Sequence, residues 1–206
     1  MSGRVHLIDY GAGNMRSITN ALKSLGAELE VVSEASALPE APRRLVVPGV
    51  GAFGAAMSNL RQRGFLEPIK RHVSEGRPLL GICVGYQLLF EESTELGHHE
   101  GLGLIPGRVR RFDQEGLIVP HMGWNEVTFD PARHDMLSGY EGAEHFYFVH
   151  SYYPEGVPEA WIAARAEYGV TFAAGVARGN IAGYQFHPEK SGPAGLDLLD
   201  RWLAAS

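Results

Sequence analysis

The chain has 206 residues, 45% hydrophobic and 20% charged, with a formal net charge of −6. Such a composition excludes a disordered chain and allows one substantial core, so one domain over residues 1–206 is expected; the acidic balance argues against a nucleic-acid binder, which needs a basic face. One cysteine rules out an internal disulfide, MSGRVHLIDYGAG lacks the apolar stretch of a signal peptide, and no apolar run approaches the ~20 residues of a membrane span, so a soluble, cytoplasmic protein without membrane contact is expected.

The elements follow in chain order. Val5 to Ile8 reads as a short buried strand broken by Gly11-Ala12-Gly13. Met15, Ile18, Ala21, Leu22 and Leu25 then recur at helical spacing, with Gly26 as a natural stop. Leu29 to Val32 and Leu45 to Val47 are the next strands, the latter running into Pro48-Gly49-Val50-Gly51. Helices are predicted over Ala52 to Gln62 and Leu66 to Val73, a fourth strand over Pro78 to Ile82, and a further helix carrying Gln87 to Phe90. Alternating strands and helices imply a parallel sheet covered on both faces.

Beyond Gly101 the texture becomes β-rich. Arg108 to Phe112, Leu117 to Val119, Glu126 to Phe129, Phe146 to Val149, Trp161 to Ala166, Val170 to Val176 and Ile181 to Phe186 read as short strands punctuated by Gly, Pro and Asp. Leu196 to Leu203 closes with a helix. The expected fold is a single-domain α/β architecture: a central, mostly parallel mixed sheet flanked by helices, flavodoxin-like, with antiparallel strands added in the C-terminal half.

Gly11-Ala12-Gly13 invites a dinucleotide-binding interpretation, but the third glycine of that fingerprint falls at Arg16, so a tight turn before the first helix is the better reading. Gly81-Ile82-Cys83-Val84-Gly85, between a strand and a helix, is more specific: it is the thiol counterpart of a nucleophile elbow. Such a turn forces its nucleophile into a strained conformation, where side chains two residues before and after would collide. The sulfur then stands above the sheet, and the amino end of the following helix favours a thiolate. A buried cysteine acting as a small apolar residue is the plainer alternative; the paired glycines weigh against it.

A thiol nucleophile needs a base and a group to orient it. Of nine histidines, His6, His72 and His134 are expected at exposed or boundary positions, His98 and His99 in a loop with Glu100, and His145 and His150 beside an aromatic strand. His187 differs, because it follows a strand and Glu189 stands two residues on, with Pro188 holding the backbone extended so that both side chains point the same way. Cys83, His187 and Glu189 therefore form a candidate Cys-His-Glu triad. The amide of Val84 and the Val50-Gly51 backbone are candidate oxyanion donors.

With these residues in view, the chain resembles the class I glutamine amidotransferases, and among them the glutaminase subunits of imidazole glycerol phosphate synthases. The resemblance runs through IDYGAGNMRS at 8–17, VVPGVGAFG at 46–54, GICVGYQLLFEES at 81–93, GLGLIPGRV at 101–109, VPHMGWN at 119–125, FVHSYY at 148–153 and QFHPEKSG at 185–192. Val84 and Tyr86 stand where the family more often has Leu and Met. The resemblance implies that Gly51, Gln87, Glu95, Ser151 and Tyr152 bind glutamine, and that Asn14 and Lys190 lie at the partner interface and ammonia passage. It also implies a (β/α)8-barrel cyclase partner in a heterodimer, fed with ammonia to make imidazole glycerol phosphate and aminoimidazole carboxamide ribotide in histidine biosynthesis, with no cofactor or metal. A glutaminase serving another synthase, such as that of pyridoxal phosphate, and a non-catalytic regulatory relative are the other readings. The intact triad residues argue against the second.

Overall fold

The computed structural model describes residues 4–12, 15–140 and 142–205. Strand β1 (Val5–Ile8), helix α1 (Met15–Ser24), β2 (Leu29–Val32), β3 (Arg44–Gly49), α2 (Phe53–Gln62), α3 (Leu66–Ser74) and β4 (Leu79–Cys83) alternate as their hydrophobic periods require. Leu7, Leu45, Val46, Leu79 and Leu80 are fully buried, and α1 turns Ile18, Ala21 and Leu22 inward. Gly26 ends the first helix at φ 77°, a conformation glycine adopts without strain.

After β4 comes only a four-residue helix, α4 (Val84–Gln87), so the helix expected through Phe90 is cut short. Leu88, Leu89 and Phe90 are fully buried, and the Leu89 carbonyl accepts bonds from the amides of Leu104 and Ile105. This sheet-like bonding of a wholly apolar run starts β5 (Phe90–Ser93) at Phe90. Then follow β6 (His99–Glu100), β7 (Ile105–Arg111), β8 (His121–Phe129), β9 (Ala143–His150), β10 (Tyr152–Glu155), β11 (Ile162–Glu167), β12 (Thr171–Arg178), β13 (Ile181–Tyr184) and α5 (Gly192–Ala204). Leu117 to Val119 forms no strand: Leu117 N closes a turn on the Gln114 carbonyl, and Tyr168 Oη donates to the Ile118 carbonyl at 2.6 Å.

Among the described residues the strands form two sheets. The larger has the order β2-β1-β3-β4-β13-β12-β11-β8-β9; the smaller has β10-β7-β5-β6. Strands β2, β1, β3, β4 and β13 run parallel, and the other half of the large sheet is antiparallel. Gly49 is paired with Cys83, which places the thiol at the carboxyl end of a strand in the parallel half, where open α/β sheets bind ligands. None of the described helices is long and apolar enough to cross a membrane.

Candidate active site

The elbow is built as its glycines require. Cys83 has φ 55° and ψ −113°, a conformation costly for any residue with a side chain. A Cβ on Gly85 would sit 1.8 Å from the Val47 carbonyl oxygen, and one on Gly81 would sit 2.8 Å from the Gly85 oxygen. Neither obstacle is a flexible side-chain tip, so glycine at both positions is a steric demand of the turn. Gly49, opposite Cys83, is also crowded: its Cβ would meet Tyr10 Oη at 2.3 Å and the Gly85 backbone nitrogen at 2.9 Å. The helix that follows is a single turn, which gives little macrodipole, so activation of Cys83 calls for support from elsewhere in the fold.

That support is His187, only 2% exposed. Its Nδ1 lies 2.8 Å from Glu189 Oε1, and the carboxylate is itself 4% exposed. The two meet through a 3-10 turn over Pro188–Lys190 instead of the extended segment expected from Pro188. Lys190 N donates to the His187 carbonyl at 3.0 Å, and Ser191 Oγ donates to the same oxygen, closing the turn. His187 Nε2 is buried and makes no hydrogen bond among the described residues. Burial lowers the basicity of His187, but the Cys83 sulfur and the Glu189 carboxylate outweigh it and raise its pKa to about 9. Near neutral pH the ring is therefore an imidazolium beside the sulfur.

A cleft of about 310 Å³ opens in front of Cys83. Val50, Gly51, Val84, Gln87, Glu95, Ser151 and Tyr152 all line it, joined by Pro120, Val149 and His150. The candidate oxyanion donors and the five candidate glutamine-binding residues are thus gathered at the nucleophile from four separate stretches of chain. Gln87 Nε2 donates to the Tyr152 carbonyl at 2.9 Å and to Gln185 Oε1 at 3.0 Å. Glu95 Oε2 accepts from Phe53 N at 2.7 Å, which ties it to the amino end of α2. Lys190 Nζ lies 5.9 Å from the centre of the Tyr147 ring, a cation–π arrangement. Asn14 lies outside the described residues.

Other histidines depart from expectation. His6 and His72 are buried, at 2% and 1% exposure, instead of lying at a boundary. His6 faces Glu30 at 3.4 Å across the β1–β2 edge, and His72 Nε2 meets the Pro78 carbonyl at 2.8 Å. His99 lies in strand β6, not in a loop, and no group of three or more metal-binding side chains forms among the described residues. His121, His150 and Gln185 are buried, with His150 at the cleft wall, and sequence reasoning does not single them out. Their only signal was position, since each falls inside a stretch that carries the family resemblance.

The model of the class-I glutamine amidotransferase family matches residues 6–205, and the chain belongs to that family. Within it, the chain is 48% identical to the imidazole glycerol phosphate synthase subunit HisH of Syntrophotalea carbinolica, covering 94% of this chain and 96% of that one. It is 47% identical to the HisH subunit of Herpetosiphon aurantiacus, over 97% and 93% of the two chains. The imidazole glycerol phosphate synthase hisHF of Emericella nidulans is 45% identical over 97% of this chain, which corresponds to 37% of that longer protein. Among solved structures, PurLQS from Thermotoga maritima superposes with a TM-score of 0.79 at 19% identity over 99% of both chains, a likeness of fold.

Proposed function

We propose that the chain is the glutaminase subunit of an imidazole glycerol phosphate synthase, working in the cytoplasm as one unit over residues 1–206. The observation that carries the chemistry is a buried His187 imidazolium that interacts with both Cys83 and Glu189, Cys83 lining a cleft together with Val50, Gly51 and Val84. The names of near full-length relatives at 45–48% identity support the pathway.

The Cys83 thiolate attacks the side-chain amide carbon of glutamine. Amides near Val84 and Val50-Gly51 receive the oxyanion, and one such donor is worth about 3–4 kcal/mol. His187 gives its proton to the departing nitrogen, so ammonia leaves and a glutamyl thioester remains. Having lost that proton, His187 takes one from water, and the hydroxide releases glutamate and restores the thiolate. Glu189 holds the ring's orientation and supports its charge in both half-reactions. Gln87, Glu95 and the Gly51 and Ser151-Tyr152 backbone hold the two ends of glutamine.

Ammonia set free in water becomes ammonium, a poor nucleophile, so a sealed receiver is needed. The partner is a (β/α)8-barrel cyclase subunit, with Asn14 and Lys190 at the shared passage. The fused hisHF relative, in which the matching part is 37% of the protein, is consistent with such a pairing. Glutamate production by the chain alone, and with the cyclase and its ligand, tests the proposal. Strong stimulation by the liganded cyclase is expected; full activity without it would contradict the assignment.

A further inference from the structure

From the cleft wall at His150 runs a hydrogen-bonded line that the triad mechanism does not use. His150 Nδ1 meets the Tyr152 carbonyl at 2.8 Å, His150 Nε2 meets His121 Nδ1 at 2.9 Å, and His121 Nε2 meets Asn125 Nδ2 at 3.2 Å. The chemistry of the two ends fixes every proton. A carbonyl only accepts, so His150 carries its hydrogen on Nδ1 and presents Nε2 as an acceptor. His121 must then donate from Nδ1, leaving its Nε2 to accept from Asn125. Asn125 is oriented in turn, donating to the Glu167 carbonyl at 2.9 Å while its Oδ1 accepts from Glu126 N at 2.8 Å.

The rings are held as firmly as their protons. His121 is stacked between Tyr168, at 4.0 Å, and Phe148, at 4.7 Å between centroids. Phe112 packs on His150 at 5.3 Å. Burial keeps both imidazoles neutral, lowering His121 to about 4 and His150 to about 3. Two buried polar rings are costly where apolar side chains would fill the space, unless their order serves something. Their line ends on the Tyr152 carbonyl, which also receives Gln87 Nε2 at 2.9 Å, so two donors hold one cleft-lining peptide.

We infer that His150, itself held by His121, is a positioning residue for substrate: it fixes the Tyr152 carbonyl, and with it the Ser151-Tyr152 backbone and the Gln87 side chain that border the cleft. The inference rests on the glutaminase reading above. Because the held groups bind glutamine and do not enter the bond changes, loss of the line should weaken binding of substrate and transition state equally.

The test is a glutamine titration of steady-state glutaminase activity in the complex with the cyclase subunit and its ligand. The variants are His150→Leu, His150→Asn and His121→Leu, each checked for folding by thermal melting. Asparagine places an amide nitrogen where His150 carries Nδ1 and keeps the donor to Tyr152. His150→Leu should raise KM about tenfold, the size of one net buried hydrogen bond, with kcat within about threefold of the parent. His150→Asn should recover most of that KM, and His121→Leu should raise KM with kcat retained. A folded His150→Leu with unchanged KM, a loss confined to kcat, or His150→Asn as poor as His150→Leu would overturn the inference. Should His150→Leu fail to fold, His121→Leu decides by the same split. A parent complex unable to hydrolyse glutamine would overturn the glutaminase reading and this inference with it; an active parent indifferent to these variants overturns the inference alone.

Discussion

Glu189→Gln keeps an acceptor of the same shape beside His187 and removes only its charge. The carboxylate oxygen lies 2.8 Å from Nδ1, with side-chain exposures of 2% for His187 and 4% for Glu189, so solvent screens the pair little. Burial works against the His187 proton, and Cys83 and Glu189 together hold its pKa at about 9. A hydrogen bond involving a charged group contributes about 1.5–3 kcal/mol net, against about 0.5–1.5 for a neutral one. The charge itself is therefore worth roughly 1–1.5 kcal/mol, about one pH unit at 1.36 kcal/mol per unit. In the parent, kcat/KM should fall as pH rises through about 9, where the imidazolium loses the proton meant for the leaving nitrogen. In Glu189→Gln that alkaline limb should move down by about one pH unit, so the rate should drop about tenfold near pH 10 as the imidazolium becomes less populated, and only slightly at pH 7. The same linkage acts on stability: a pKa raised above 6.5 contributes fully below pH 6.5 and is lost as pH rises through about 9, so the variant should show a smaller alkaline loss. Glutamate release measured from pH 6 to pH 10 decides, and an alkaline limb that stays where the parent has it would refute the role given to Glu189.

Further outcomes are expected. Cys83→Ala and Cys83→Gly should both lose glutamine hydrolysis, but the glycine variant should be the more stable by about 1–3 kcal/mol because φ 55° suits it; thermal melting separates them by several degrees, and equal melting temperatures would contradict the strain. Gly85→Ala pushes a methyl to 1.8 Å from a backbone oxygen, so kcat should fall by two decades or more with a clear loss in melting temperature; near-parent kinetics would show the elbow to be more tolerant than its geometry. His121 and His150, lowered to about 4 and about 3, stay neutral in the fold while the unfolded chain takes up protons below pH 6.5. Denaturant unfolding should therefore show stability falling as pH drops from 6.5 towards 4, with each ring adding roughly 1.4 kcal/mol per pH unit, and a flat profile would count against their burial as neutral rings.

The parallel half of the fold was legible because its elements are short and apolar, and several, such as the first helix at Gly26 and the third strand at Pro48-Gly49, are closed by glycine or proline. The elbow and the His-Pro-Glu segment were legible because steric demand and acid–base chemistry leave few residue choices. Local patterns failed where tertiary partners decide. Leu88, Leu89 and Phe90 look the same in a buried helix and a buried strand, and only their bonding to residues 102–105 ends the helix early and starts the strand at Phe90. Leu117 to Val119 has strand-like residues but no strand beside it, so a turn and the Tyr168 hydroxyl satisfy its backbone. The burial of His6 and His72, and the line through His121 and His150, join segments far apart in the chain, which no local spacing reveals. The 3-10 turn at Pro188 brings His187 to Glu189 as expected, by a different backbone path.

The most direct measurement is mass spectrometry of the chain, mixed with the liganded cyclase and glutamine and quenched with acid during turnover. A glutamyl adduct on the peptide containing Cys83, absent when glutamate replaces glutamine and accumulating in a His187→Asn variant if attack persists, is the predicted result. Steady turnover with Cys83 unmodified, or turnover retained in Cys83→Ala, would contradict covalent catalysis by this thiol.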